Sequence, residues 1–198
     1  MTKGETTRMM ILSRAAPVFN RLGFAGASLT DIMQATGLEK GGIYNHFHSK
    51  EDLAVEAFDY AVNEVGRAMV EAMRPVDGSF ERLLALIHFF TDYYAHPPVA
   101  GGCPVLNTSI ESDDAHPALL EHARRGMDRM RGLFRAVIEK GQRDGSIRPD
   151  ADAEEAAALL ITALEGGMVM SKLYGTPEHV GRAVAYMERY ACEQLKRQ

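Results

Sequence analysis

Apolar residues recur at intervals of three and four along most of this chain, a spacing that predicts amphipathic helices. Glycine, proline and capping residues separate the apolar stretches. No stretch indicates a convincing strand, and no internal repeat is found. The chain is therefore predicted to be all-α, with about nine helices. The predicted helices cover approximately residues 5–22, 28–36, 39–47, 50–73, 80–95, 105–112, 116–144, a helix capped by Asp152, and 177–195.

The most informative stretch covers residues 28–52. Ser28 is a favourable N-cap, and Asp31 stands three residues later in a capping-box pattern. Gly37 ends this first helix, because glycine adopts a positive φ without a Cβ clash. A second helix of about two turns follows at 39–47. Two short helices joined by a glycine-containing turn are typical of a helix-turn-helix, whose second helix enters the major groove of DNA.

The residues of this motif resemble those of one family. The runs Leu38-Glu39-Lys40-Gly41-Gly42-Ile43-Tyr44-Asn45-His46-Phe47 and Ser49-Lys50-Glu51-Asp52-Leu53 closely resemble the helix-turn-helix signature of TetR-type transcriptional repressors. In the second run Ser49 is the predicted cap of the next helix, with Asp52 at its third position. The resemblance is sharp over roughly residues 5–60 and is one of architecture beyond them, since the C-terminal domains of the family diverge.

The resemblance implies a helix-turn-helix DNA-binding domain at residues 1–50 and a larger helical ligand-binding and dimerisation domain at 51–198. It also implies a homodimer that binds a palindromic operator in double-stranded DNA. A small-molecule inducer would release this repressor, although activation of transcription remains an alternative.

The same resemblance predicts the DNA contacts. The residues that fall where the family touches DNA are Ser28, Thr30, Lys40, Gly41, Gly42, Tyr44, Asn45, His46 and Lys50. Among them, Lys40 and Asn45 have side chains that can read base edges, lysine at guanine and asparagine at adenine. The two glycines permit close approach but read no base.

The other predicted contacts have groups that suit the DNA backbone. Ser28 and Thr30 stand at a helix N-terminus, where N–H groups and the helix dipole favour a phosphate oxygen. Tyr44, His46 and Lys50 offer polar or charged tips. Each has a simpler interpretation: Tyr44 as a packing residue, and the other two as solvated surface side chains.

The charge distribution agrees with a small DNA-binding domain. The chain has a net charge of −5, which taken alone disfavours binding to nucleic acid. Residues 1–50 nevertheless carry six basic and three acidic residues, a net charge of +3, whereas the other 148 carry 16 basic and 24 acidic residues, a net charge of −8. Only the N-terminal quarter is therefore biased towards phosphate.

The first predicted helix, residues 5–22, contains an unusual proline. Pro17 removes one intrahelical hydrogen bond and is expected to kink the helix, which Gly23 should end. The N-terminal end of this helix, near Thr7 and Arg8, is expected to face phosphate.

Nine residues of the C-terminal part are candidates for an inducer pocket. Aromatic, polar and methionine side chains on helices that enclose a cavity suit varied small molecules. The candidates are His88, Tyr93, Tyr94, Cys103, Asn107, Met127, Met130, Glu165 and Met168. The alternative is that these side chains simply fill the core.

Small and apolar residues are concentrated in the last two long helices. They are Ala163, Gly166, Gly167, Gly181, Ala183, Val184, Met187 and Ala191. A helix that is apolar on most sides is buried on more than one side. We favour a two-fold dimer in which these helices form a four-helix bundle, and the alternative is a monomer core.

Cys103 stands near the start of a short predicted helix, a setting that can lower the pKa of a thiol. It is a candidate sensor of electrophiles or oxidants, which would make the protein a thiol-switched repressor; the simpler interpretation is a buried small hydrophobe. Cys192 is expected to be a packing residue. Cysteine and histidine spacings indicate no disulfide framework, metal site or cofactor. A helical enzyme is a remote alternative, because no nucleophile–base pair or phosphate loop is found.

The composition is that of an ordinary globular protein, with 46% hydrophobic and 25% charged residues. No apolar run approaches the roughly 18 residues of a membrane span, and no signal-peptide segment is found at the N-terminus. We therefore expect a cytoplasmic protein without a membrane partner.

Overall fold

The computed structural model describes residues 2–112 and 116–197, and its regular structure is helical apart from one isolated β-bridge between Ile147 and Lys196. The all-α prediction is confirmed. The nine α-helices of the described residues are α1 (Lys3–Gly26), α2 (Leu29–Thr36), α3 (Lys40–Tyr44), α4 (Lys50–Met73), α5 (Ser79–Ala95), α6 (Pro104–Glu111), α7 (Pro117–Asp144), α8 (Ala153–Tyr174) and α9 (Glu178–Tyr190), and a π-helical turn (Ala191–Leu195) follows the last.

The predicted caps around the helix-turn-helix are confirmed. The backbone N–H of Asp31 donates to Ser28 Oγ (3.2 Å), and the N–H of Ser28 donates to Asp31 Oδ2 (2.8 Å), which completes the capping box. Gly37 ends α2 in the left-handed region, with φ at 71°. Ser49 Oγ accepts the N–H of Asp52 (3.0 Å) at the start of α4. These contacts are local in sequence, which is why the sequence predicts them.

The first helix breaks at Gly23, as predicted, and contains Pro17 within its helical part. It continues through Pro17, and its non-helical residue is Gly23, with φ at 76° and ψ at 171°. Ala15 and Val18, on either side of the proline, are both buried in the same core, so packing holds the two halves of the helix together. The break at Gly23 leaves one further turn of helix at 24–26 before α2 begins.

The second helix of the motif is shorter than predicted. It ends at Tyr44 and not at Phe47, and the N–H of His46 closes a tighter turn on the carbonyl of Ile43 (3.0 Å). Phe47 is 1% exposed and enters the core directly after this turn. The neighbouring glycines have a low helix propensity, which agrees with so short a helix.

The first compact unit contains Met1–Val65 and Pro98–Gly126, and we call it the head unit. Its core joins α1, α2, α3 and the first part of α4. The fully buried centre of this core includes Ile11, Ala15, Ile32, Ile43 and Phe47. The predicted functional boundary at residue 50 is not tested by these contacts and remains a prediction.

The second compact unit contains Gly66–Pro97 and Met127–Gln198, and we call it the body unit. Aromatic side chains fill its core, including Phe80, Phe90, Tyr93 and Phe134. Helices α8 and α9 approach closely, because a Cβ on Gly167 would lie 2.7 Å from the Cβ of Ala183. The glycine is therefore needed for this packing.

Among the described residues, α8 has the length and apolar composition that crossing a membrane requires. The prediction that no apolar segment approaches the length of a membrane span is therefore wrong for α8. A core helix of a soluble protein meets the same criterion, and half of the most apolar window of α8 is buried.

Candidate nucleic-acid interface

The helix-turn-helix is held on the head unit by its apolar side. Ile32 of α2 and Ile43 of α3 are both fully buried. Because residues two positions from a buried residue lie on other faces of a helix, anchoring Ile43 leaves Gly41 and Asn45 exposed, and Lys40 is exposed at the first residue of the helix. Helix α3 therefore offers solvent a cation, a bare backbone and an amide.

The predicted base-reading side chains are available on this surface. Lys40 is exposed, and its Nζ lies 5.9 Å from the centroid of the Tyr44 ring. Tyr44 is half-buried and so combines packing with a surface position. Asn45, at the C-cap of α3, is exposed. An amide and an ammonium are donors suited to the major-groove edges of adenine and guanine.

The two glycines of α3 have no internal packing role that requires them. A Cβ on Gly41 would meet no atom within 4 Å, and one on Gly42 would lie 3.5 Å from Leu38 Cβ, an ordinary contact. Because they lack side chains, no side chain projects from the backbone of α3 at these two positions. Such a surface permits a close approach by an external molecule.

The N-terminus of α2 is already partly occupied by the protein itself. The Ser28 hydroxyl donates to Asp31 Oδ2 (2.5 Å) while it caps the helix. The Ser28 hydroxyl and then the Ser28 N–H lower the pKa of Asp31 below its ordinary value, so this carboxylate stays charged. Thr30 is exposed and carries the remaining predicted hydroxyl of this terminus.

Lys50 is directed towards the protein. Its Nζ donates to the carbonyl oxygen of Phe24 (2.5 Å) and lies 4.5 Å from the centroid of the Phe24 ring. His46 is half-buried. Of the nine predicted DNA contacts, Lys50 is thus the one whose charged group is held by an internal carbonyl in this structure.

Arg8 is also engaged within the head unit. Its guanidinium forms an ion pair with Glu56 of α4 and lies 4.7 Å from the centroid of the Phe47 ring. The sequence predicts that this end of α1 faces phosphate, and it gives no indication of the ion pair, because 48 residues separate the partners. Arg8 therefore joins α1 to α4 beside the end of the helix-turn-helix.

Five of the predicted pocket residues lie inside the body unit. Tyr93, Met130, Glu165 and Met168 are buried, and Tyr94 is half-buried with its hydroxyl donating to the Ser171 carbonyl (3.1 Å). A buried carboxylate among apolar side chains is an uncommon feature, since burial of a charge is unfavourable. Two more of the pocket candidates belong to the body unit: Met127 is half-buried, and His88 is exposed.

His88 lies on the outer side of α5, where its Nε2 is 3.0 Å from Glu188 Oε2. The other two candidates, Cys103 and Asn107, belong to the head unit. Asn107 Nδ2 donates to Asn20 Oδ1 (2.9 Å) and to the Gly101 carbonyl (3.0 Å). The structure thus distributes the nine candidates over both units.

Cys103 is 4% exposed and is the N-cap residue of α6. A buried thiol is poorly placed for direct reaction with reagents from solvent. Cys192 is exposed, contrary to the packing role expected for it. Within residues 2–112 and 116–197, no group of three or more His, Cys, Asp or Glu side chains is placed to hold a metal ion.

Two family descriptions match this chain. Residues 11–57 match "Bacterial regulatory proteins, tetR family", and residues 79–187 match "Tetracyclin repressor-like, C-terminal domain". The first match contains the helix-turn-helix, and the second contains α5 to most of α9. Among curated proteins, the chain is 25% identical to the transcriptional repressor DhaR of Mycobacterium sp. (strain GP1), over 84% of this chain and 82% of DhaR.

Solved structures agree with these matches. A TetR transcriptional regulator from Chloroflexus aurantiacus J-10-FL has a TM-score of 0.93 and 39% identity, with all of both chains covered. A TetR-family regulator from Cytophaga hutchinsonii has a TM-score of 0.91 and 31% identity over 100% of this chain and 98% of the other. A cysteine mutant of the regulator CifR, complexed with 26-bp operator DNA, has a TM-score of 0.80 and 25% identity over 93% and 95%.

Proposed function

Because this chain belongs to the TetR family of transcriptional regulators, we propose that it represses transcription as a homodimer on a palindromic operator and is released by a small-molecule inducer. Like its named relatives, the protein is a DNA-binding regulator and not an enzyme. The observation that carries the proposal is the exposed surface of α3, with Lys40, Gly41 and Asn45 presented on a helix anchored by buried Ile43. Such a protein acts in the cytoplasm.

The operator contacts follow from the surface of α3. Lys40 and Asn45 read base edges in the major groove, while Thr30 and the free N–H groups of α2 bind phosphate. Ser28 acts mainly by fixing α2, because its hydroxyl is used in the capping box. Tyr44 and His46 border this surface. The CifR mutant, which shares the fold, is complexed with operator DNA.

The dimer is supported by an exposed stripe of apolar and small residues on α8. Its residues are exposed and follow each other at helical spacing: Leu159, Thr162, Gly166, Val169 and Leu173. Three exposed apolar side chains on one face, Leu159, Val169 and Leu173, indicate an interface more than a solvated face. Gly166, and Gly181 on α9, have open space where a Cβ would stand, which permits another helix to approach. A symmetric dimer would use this stripe from both protomers.

The inducer site is proposed inside the body unit, around Tyr93, Tyr94, Met130, Glu165 and Met168. The half-sites of the operator are expected to lie about one DNA turn, roughly 34–36 Å, apart or more. Inducer binding would favour a dimer whose two α3 helices no longer match this spacing. The thiol-switch alternative receives less support, because Cys103 is buried.

The proposal is tested by fluorescence anisotropy with labelled DNA taken from directly upstream of the gene. The expected result is saturable binding that survives competitor DNA and weakens as salt is raised. A Lys40→Ala, Asn45→Ala double variant should lose the preference for this DNA over competitor. Equal binding of wild type to operator and competitor DNA across the flanking region would contradict operator recognition.

A further inference from the structure

The connection between α1 and α2 contains a short turn of helix that other elements hold. Gly23 interrupts α1, residues 24–26 form one more turn, and Ala27 precedes the Ser28 cap of α2. The Ala27 N–H closes this turn on the Gly23 carbonyl (3.0 Å). Since α2 starts directly after it, the direction of this turn sets the direction of the helix-turn-helix.

Glu111, the last residue of α6, binds the open amide groups of that turn. The N–H of Phe24 donates to Glu111 Oε2 (2.8 Å), and the N–H of Ala25 donates to Glu111 Oε1 (2.8 Å). These are the first N–H groups after the break, which lack partners in their own helix. A carboxylate from another helix thus acts as their cap, through two charge-assisted bonds.

Gly23 makes this approach possible. A Cβ at residue 23 would lie 2.5–2.7 Å from the carboxyl group of Glu111, which no real side chain tolerates without a shift. Its φ of 76° is also a conformation that favours glycine. The absent side chain at position 23 and the carboxylate at position 111 therefore fit one another.

The opposite side of the same turn is held by α4. Lys50 Nζ, at the start of α4, donates to the Phe24 carbonyl (2.5 Å). The Phe24 ring also makes an edge-type contact with the His116 ring, with the ring centroids 4.3 Å apart. The peptide groups of Phe24 are therefore fixed at both ends, the amide by Glu111 and the carbonyl by Lys50.

Helix α6 is itself fastened to α1 one turn before Glu111. Asn107 Nδ2 donates to the backbone oxygen of Asn20 (3.0 Å), and Asn20 Nδ2 donates to the carbonyl of Gly102 (2.9 Å). Asn107 and Glu111 are four residues apart and so share one face of α6. That face binds the C-terminal part of α1 at two successive turns.

From this geometry we infer that Glu111 is a positioning residue for operator binding, which fixes the α1–α2 connection and with it the direction of α2 and α3. It lies outside the matched helix-turn-helix region at 11–57. The inference rests on the proposed operator binding. Loss of the carboxylate would let the helix-turn-helix sample more directions, so binding would have to order it, while every direct DNA contact would be kept.

The test compares Glu111→Gln and Glu111→Asp with a matched control, Glu121→Gln. Glutamine at 111 keeps the size but loses the charge and one acceptor oxygen, and aspartate keeps the charge but withdraws it by one methylene. Glu121 is an exposed glutamate of the head unit that pairs with Arg125 on its own helix (3.1 Å). Its substitution removes the same charge without touching the turn.

The first readout needs no DNA. Hydrogen exchange of the Phe24 and Ala25 amides should accelerate by about tenfold in Glu111→Gln, less in Glu111→Asp and not in the control. The second readout is operator affinity at four salt concentrations. We expect Glu111→Gln to bind about five- to twentyfold more weakly with an unchanged salt slope, because the phosphate contacts are the same.

Several results would overturn the inference. Unchanged exchange in both variants at 111 would show that the carboxylate does not hold the turn. Faster exchange with wild-type operator affinity would show that the turn does not position the helix-turn-helix. A loss of affinity with a smaller salt slope would mean lost phosphate contacts. If wild type binds no operator, the proposed function fails, and the exchange readout still decides whether Glu111 holds the turn.

Discussion

Substitution of Leu173 by glutamate tests the proposed dimer where the stripe on α8 is most exposed. Leu173 is 71% exposed in the isolated chain. Full burial of a leucine side chain contributes about 1.5–3 kcal/mol, so the exposed share can contribute about 1–2 kcal/mol per protomer. A two-fold axis uses the residue twice, which gives about 2–4 kcal/mol and a dissociation constant raised about 30- to 1,000-fold. A carboxylate buried at the interface would add to this loss.

The assay is sedimentation velocity over a range of protein concentrations. Ile110→Glu is the matched control, since Ile110 is 72% exposed but lies on α6 of the head unit. Both variants should keep the thermal stability of the protomer fold, because substitutions of exposed residues usually change it by less than about 0.5 kcal/mol. A dissociation constant that Leu173→Glu leaves unchanged, or that Ile110→Glu raises equally, would refute the stripe as the interface.

Three further predictions follow from other parts of the chain. Lys40→Ala should weaken operator binding and relax the base preference at one position in each half-site, by about 1–3 kcal/mol, measured with operators substituted base by base. Hydrogen bonds from the Ser146 hydroxyl, the Ser79 hydroxyl and the Ser146 N–H lower the pKa of Asp144 to about 2. Because folding lowers this pKa, the Asp144 carboxylate stabilises the folded protein above its unfolded pKa, and this stabilisation is lost as pH falls from about 4 to about 2. In urea denaturation, the free energy of unfolding of Asp144→Asn should therefore fall less than that of the wild type over this pH interval. Exposed Cys192 should react with a thiol reagent in the native protein much faster than buried Cys103, and equal rates in single-cysteine variants would contradict the placement of the two thiols.

Much of the fold is predictable because its signals are local. The cap at Ser28, the left-handed Gly37 and the limits of α4 depend on groups within a few residues of each other. The continuation of α1 through Pro17 is not local, since it depends on burial of the residues on both sides. Pro17 removes a hydrogen bond of the helix, and the burial of its neighbours Ala15 and Val18 favours the continuous helix.

The surface of α3 is predictable for a similar reason, whereas the contacts that support it are not. Once Ile43 is placed in the core, the exposure of Gly41 and Asn45 follows from helix geometry. The bond from Phe24 to Glu111 joins residues 87 positions apart, and no pattern near either residue indicates it. The same holds for Lys50, whose position in the motif predicts a phosphate contact but whose nearest acceptor belongs to α1.

The internal use of basic residues changes how this domain can bind DNA. Of the six basic residues at positions 1–50, Arg8 pairs with Glu56 and Lys50 is held by the Phe24 carbonyl. Less positive charge is therefore available to face the operator than the net charge of +3 for residues 1–50 suggests. Counterion release then contributes correspondingly less to the affinity. In the proposed complex, the backbone N–H groups of α2 and the exposed glycine backbone of α3 therefore contribute more of the affinity. Both kinds of contact act only at short range and in the correct direction. A domain of this kind depends strongly on how firmly α2 and α3 are oriented, and for that reason the groups that hold the α1–α2 connection matter as much as those that touch DNA.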